Sequence, residues 1–191
     1  MAEDLEIVSF ESAEAFESWL NEHHSSSPGI WLKLRKKGRG VVALDYAGAL
    51  DVALCYGWID GQKGRFDDRS WLQRFTPRKP RSRWSKVNRD KVAALFEQGR
   101  MQPPGLAEVE RAKADGRWDA AYDGAKSASV PDDLAEALAA NPAAAEFFAT
   151  LDGRNRYAVV YRVQDVKKPE TRVRRIEKYV AMLAEQKKFH P

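Results

Sequence analysis

The sequence predicts an α+β fold: a small, mostly antiparallel sheet in the N-terminal half, packed with helices, followed by an all-helical C-terminal half. Three observations point there. Apolar and polar residues alternate through Ile30-Trp31-Leu32-Lys33-Leu34-Arg35, the period-two pattern of a half-buried strand. Strand-like runs recur at Trp58-Ile59-Asp60-Gly61 and from Arg65 to Phe75, turning at Asp67-Asp68. From Ser129 onward the apolar residues fall at helical spacing, with capping residues between the patterns.

Taken in order, Ser12 to His23 reads as a helix, because Phe16 and Leu20 share a face that Trp19 widens. Ser25 to Gly29 is a loop ahead of the Ile30–Arg35 strand. Lys36 to Gly40 forms a basic turn, and Val41 to Leu44 a short second strand. Asp45 is an N-cap for a helix through Tyr56, ended by Gly57. After the strands at 58–61 and 65–75, Pro77 and Pro80 bracket an extended basic linker, since neither can donate to a ladder. Ser85 caps a helix to about Gln98, and Pro103-Pro104 starts another that Gly116 closes. Four more helices follow: Pro131 to Ala140, one from Asn141-Pro142, one capped by Asp152 through Val163, and one opened by Pro169. Two parts are expected, an α+β core over 1–112 that includes the basic aromatic segment, and a helical part over 113–191 packed on it as one unit. Lys113 to Ser129, rich in Gly, Ala, Asp and Ser, is the internal boundary.

The chain has 191 residues, a formal charge of +4 and one cysteine. A single thiol excludes an intramolecular disulfide and a cysteine zinc cage. His23 and His24 point about 100° apart on a helix, so they cannot share a metal, and no metal or cofactor is expected. No G-x-G-x-x-G or Walker sequence supports nucleotide chemistry. No stretch has the roughly 18 apolar residues of a membrane span. The acidic N-terminus lacks the basic and apolar regions of a signal peptide, so a cytoplasmic location is expected.

Charge is distributed unevenly. Residues 1–30 hold seven acids and no Lys or Arg. Residues 61–91 hold eleven bases against three acids, a formal +8. Either the acidic helix packs near the basic segment and neutralises it, or the basic segment faces an anionic partner. Trp58, Trp71 and Trp84 recur at intervals of thirteen, with Phe66 and Phe75 between them, among Arg74, Arg78, Lys79, Arg81, Arg83, Lys86 and Arg89. Guanidinium forks suit phosphate oxygens and flat rings suit bases. The same rings could instead be core fillers with arginines stacked on them. The helix starting after Ser85 adds amide donors at its positive end. A second basic cluster on the last helix includes Arg172 and Arg175, which share one edge. Asp60 is either a buried ion-pair partner or an acid/base group beside these arginines. Gly61-Gln62-Lys63-Gly64 reads as a hairpin turn rather than a nucleic-acid clamp. Cys55 reads as a buried structural thiol.

Leu54-Cys55-Tyr56-Gly57-Trp58-Ile59-Asp60-Gly61, Arg74-Phe75-Thr76-Pro77-Arg78 and Ser82-Arg83-Trp84-Ser85-Lys86-Val87-Asn88 resemble the YdeI/OmpD-associated family, also called bacteriocin-protection proteins. Gly99-Arg100-Met101, Gly116-Arg117-Trp118 and Lys168-Pro169-Glu170-Thr171-Arg172 extend the likeness, from about Pro28 to Leu183. The resemblance carries no settled activity and no catalytic set. The family's names imply bacteriocin tolerance and a porin association, and so a protein partner. The residues themselves point to an anionic, phosphate-rich ligand, nucleic acid first, held by Arg74, Arg78, Lys79, Arg81, Arg83, Trp84, Ser85, Lys86, Arg172 and Arg175. Catalysis on a small anionic substrate, with Asp60 as acid/base, is the remaining alternative.

Overall fold

A computed structural model describes residues 5–36, 44–125 and 127–191. The turn expected at Lys36–Gly40 lies, from Lys37 on, outside these residues, as does most of the strand expected at Val41–Leu44. The chain forms two compact units, Met1–Tyr122 and Asp123–Pro191. The division falls inside the Lys113–Ser129 stretch.

The first unit is built on a sheet of β1 (Ile7–Val8), β2 (Ile30–Arg35), β3 (Trp58–Arg65) and β4 (Ser70–Pro77), in the order β1-β2-β4-β3. β2 and β3 both run antiparallel to β4, while β1 runs parallel to β2, so the sheet is mixed. Ile30, Leu32 and Leu34 face inward from β2, as their alternation requires. They meet Phe16 and Leu20 of α1 (Ala13–His23), together with Trp58 and Phe75. β1 has no counterpart among the expected strands, because two residues carry no period.

The hairpin turn between β3 and β4 is built by Asp67. Its Oδ1 accepts the Arg69 and Ser70 amides at 2.7 and 2.6 Å. Those bonds help hold its carboxyl below the usual range. The expectation for Gly61–Gly64 is corrected: these residues lie within β3, where the register with β4 shifts between Asp60 and Lys63. Gln73, fully buried on β4, explains how the irregularity is tolerated. Its Nε2 donates to the carbonyls of Gly61 at 2.8 Å and Gln62 at 3.3 Å, partners the ladder does not supply there.

α2 (Tyr46–Cys55) begins at Asp45, whose carboxylate accepts the Gly48 amide at 2.8 Å. Its buried residues lie nearly all around the helix, marking it as the centre of the core. Gly57 ends it with φ of +73°, a left-handed conformation favoured by glycine. α4 (Pro103–Ala114) packs against α2 so closely that a Cβ on Gly105 would sit 2.1 Å from the Cys55 carbonyl oxygen. Cys55 is buried and its thiol is pushed up to about 11, which fits a structural role. α3 (Lys86–Glu97) starts where predicted, with Ser85 Oγ accepting the Asn88 amide.

The second unit consists of α5 (Asp132–Ala139), α6 (Pro142–Thr150), α7 (Gly153–Gln164) and α8 (Pro169–Ala184). Asn141 and Asp152 cap α6 and α7 as their types predict. Leu134, Phe148, Val159, Val163, Ile176, Tyr179 and Leu183 close the core of this unit. Each such burial contributes on the order of 1.5–3 kcal/mol. Among the described residues no helix is long and apolar enough to cross a membrane.

Candidate functional site

The strand β4 ends at Pro77, and the chain then turns through Lys79–Ser82 before α3. Ser82 Oγ accepts the Lys79 amide at 2.9 Å, and the Ser82 amide returns to the Lys79 carbonyl at 2.8 Å. At the base of this loop lies Arg78, 6% exposed. Its amide donates to the Gly57 carbonyl at 3.0 Å. Its guanidinium stacks 3.5 Å from the ring centroid of Trp84, itself 1% exposed. Nη1 donates to the Arg83 carbonyl at 3.1 Å. Nε and Nη2 are both buried and have no hydrogen-bond partner among the described residues.

A second arginine grips the same loop. Arg117 donates Nη1 to the Ser82 carbonyl at 2.9 Å and to Glu108 Oε1 at 3.1 Å, and its Nε to Asp115 at 2.8 Å. Its Nη2 is buried without an acceptor, as is Trp84 Nε1. Glu108 lies buried on the inner face of α4 and is also paired with Arg111. Burial pushes the Arg78 pKa down to about 10, which Glu108, Tyr122 and Asp60 oppose and Arg117 assists. Arg78 therefore remains a cation at neutral pH.

Asp60, on β3, accepts the Tyr46 hydroxyl at 2.7 Å. Burial and this contact both push the Tyr46 pKa up. The Tyr46 phenol thus keeps its proton. Lys63 Nζ stands 4.8 Å from the Trp71 ring centroid and 5.6 Å from that of Tyr46.

The loop brings together Arg78, Lys79, Arg81, Arg83, Trp84, Ser85 and Lys86. Lys79, Arg81, Arg83 and Lys86 are exposed there. Arg83 lies 5.0 Å from the Tyr122 ring centroid. Arg74 lies on β4, and its Nε is buried without a partner. Arg172 and Arg175 belong to the second unit. Arg172 donates Nε and Nη2 to Asp133 at 2.5 and 2.9 Å and Nη1 to the Val163 carbonyl at 2.8 Å. Its side-on fork is thus occupied by a carboxylate of the chain itself. Arg175 Nη1 reaches the Arg162 carbonyl at 3.4 Å.

Two further expectations are corrected. Trp58 and Trp84 are not stacking platforms. Both face the core, Trp58 donating Nε1 to the His24 carbonyl at 3.1 Å and Trp84 packing edge-on against Trp118 at 4.9 Å. Nor are the amides at the start of α3 all free. The Lys86 amide goes to the Tyr122 carbonyl at 2.9 Å, and that of Asn88 to Ser85. Sequence reasoning missed Tyr46, Glu108 and Arg117. Glu108 had a signal, for it stands beside Val109 at a core position of the α4 pattern, where an acid requires partners.

Residues 8–108, which are 101 of the 191, match the family model described as a domain of unknown function, DUF8412. Residues 127–186 match the model described as bacteriocin-protection, YdeI or OmpD-associated. That second match is narrower than the likeness read over Pro28–Leu183. The motif blocks from Leu54 to Asn88 lie within the first match, and Lys168–Arg172 within the second. No curated protein and no solved structure matches the chain.

Proposed function

Starting from a chain that belongs to the DUF8412 family and carries a C-terminal YdeI/OmpD-associated domain, we propose that it binds a phosphate-rich polyanion, nucleic acid first, through the loop between β4 and α3. One observation carries this reading. The buried Arg78–Trp84 stack and the Arg117 clamp hold the backbone of residues 82 and 83, so that exposed Lys79, Arg81, Arg83 and Lys86 stand on a fixed base. Fixing the backbone that carries these side chains lowers the entropy lost on binding.

The sealed indoles narrow the ligand. With Trp58 and Trp84 inside, binding runs through phosphates rather than unstacked bases, which favours duplex over single strand. A salt titration of duplex binding by the full chain tests this. The logarithm of the affinity is expected to fall with log salt by about 0.9 per phosphate neutralised. The double variant Lys79→Ala/Arg81→Ala is expected to reduce that slope by roughly one for each phosphate that no longer meets a cation. Absence of binding at low salt overturns the reading.

The Tyr46–Asp60 pair, in the electrostatic neighbourhood of Arg78, favours a second reading: proton transfer on a small anionic substrate. Turnover abolished equally by Tyr46→Phe and Asp60→Asn, with folding intact, is its expected signature. The phrase bacteriocin protection describes the family matched at residues 127–186. For this chain it suggests a protein partner, to be sought by affinity capture.

A further inference from the structure

A guanidinium presents two hydrogen-bonding edges. Nε–H and one Nη2–H point side by side and form a fork that takes both oxygens of a carboxylate, or two of a phosphate. In Arg78 that whole fork has no partner among the described residues, although Arg78 is only 6% exposed. Its third nitrogen is committed to the Arg83 carbonyl. Trp84 Nε1, on the ring stacked beneath it, is likewise a buried donor with no acceptor. Arg117 Nη2 is a fourth, on a side chain that grips the preceding carbonyl of the same loop.

Four buried donors around one loop, without acceptors among the described residues, are costly, and none of the four can accept from another. Two like charges add to the cost: Arg117 lowers the Arg78 pKa. Glu108 and Asp60 offset the charge through space. Neither gives these donors an acceptor, because the Glu108 oxygens bond Arg111 and Arg117, while Asp60 accepts from Tyr46 and makes no hydrogen bond to Arg78. An oxyanion supplies what the chain withholds, two acceptor oxygens in one plane with negative charge.

We infer that the side-on fork of Arg78, stacked on the Trp84 ring, is a buried seat for a single oxyanion group, a carboxylate or a phosphate. The inference deepens the reading above by adding a specific anchor to a non-specific basic loop. It also stands if duplex binding fails, because a free small anion suffices to fill the seat.

The test uses the full chain with potassium phosphate, potassium acetate and potassium chloride at matched ionic strength. Two readouts apply: the melting temperature, and the Nε–H resonance of Arg78 in a nitrogen-edited spectrum. Phosphate or acetate, but not chloride, is expected to raise the melting temperature and to shift that resonance saturably. The anion that does so at lower concentration identifies which oxyanion the seat takes. Arg78→Lys keeps the charge and removes the fork, so it is expected to weaken the response by about tenfold or more. Arg78→Met removes the guanidinium altogether, so the response is expected to vanish, and it serves if Arg78→Lys does not fold. Arg154→Ala, at an exposed position of α7, leaves the response unchanged. A response to phosphate and acetate no larger than to chloride, or one that persists in Arg78→Lys, overturns the inference.

Discussion

Arg78 and Arg172 come from the two basic clusters of the chain, and the structure treats the same side-chain edge in opposite ways. In Arg172, Nε and Nη2 meet both oxygens of Asp133, and Nη1 closes on the Val163 carbonyl. In Arg78, Nη1 meets a carbonyl in the same manner, while Nε and Nη2 meet no acceptor among the described residues. The first fork is filled by the chain's own carboxylate at a partly exposed position. The second is buried on an indole with no carboxylate bonded to it. Basic residues become structural or ligand-seeking according to whether the fold delivers an acid to that edge, and a tally of charges cannot tell the two apart.

The comparison can be broken most forcefully through its floor. Trp84→Ala removes the ring beneath Arg78 and leaves a large cavity, with an expected loss of about 3–5 kcal/mol in chemical denaturation. Near-native stability in that variant would show that the stack does not organise the loop. Arg172→Met is expected to lose about 1 kcal/mol, since the Asp133 pair is partly exposed and screened, while the Val163 carbonyl loses its donor.

A smaller effect follows with pH. The Arg172 hydrogen bond holds the Asp133 carboxyl below its ordinary value. The folded pKa is therefore depressed, so the stabilisation is present above the unfolded value near 4 and is lost as pH falls through the folded one. Acid titration of stability should show this contribution, under about 1 kcal/mol after screening, in the native chain but not in Arg172→Met. The smallest expected change is Arg78→Met. It removes a desolvated charge together with one hydrogen bond, and those effects nearly cancel, with a loss no larger than about 0.5 kcal/mol. A loss of several kcal/mol there would mean that Arg78 belongs to a buried ion pair.

The helices were legible because their signals are local. Ser12, Asp45, Ser85, Asn141 and Asp152 accept the amide three residues on, as the geometry of a helix start dictates. The alternation in β2 was equally plain. The Gly61–Gly64 stretch misled because glycines suit both a turn and an irregular strand, and the choice rests on Gln73, a dozen residues away in sequence. The tryptophan spacing misled for a similar reason. An interval of thirteen says nothing about facing, and two of the three rings turned inward.

Of the candidate site, the sequence established the clustering of cations between Arg74 and Lys86, and it placed Trp84 and Ser85 among them. Local composition and capping chemistry are enough for that, because they act between neighbours along the chain. It could not say which guanidinium would be answered. Glu108 and Arg117 reach the loop from α4 and the segment after it, and Asp133 reaches Arg172 from 39 positions away. Pairings of that kind exist only once packing has brought remote segments within the roughly 3 Å of a hydrogen bond. Packing, rather than charge count, left the fork of Arg78 open.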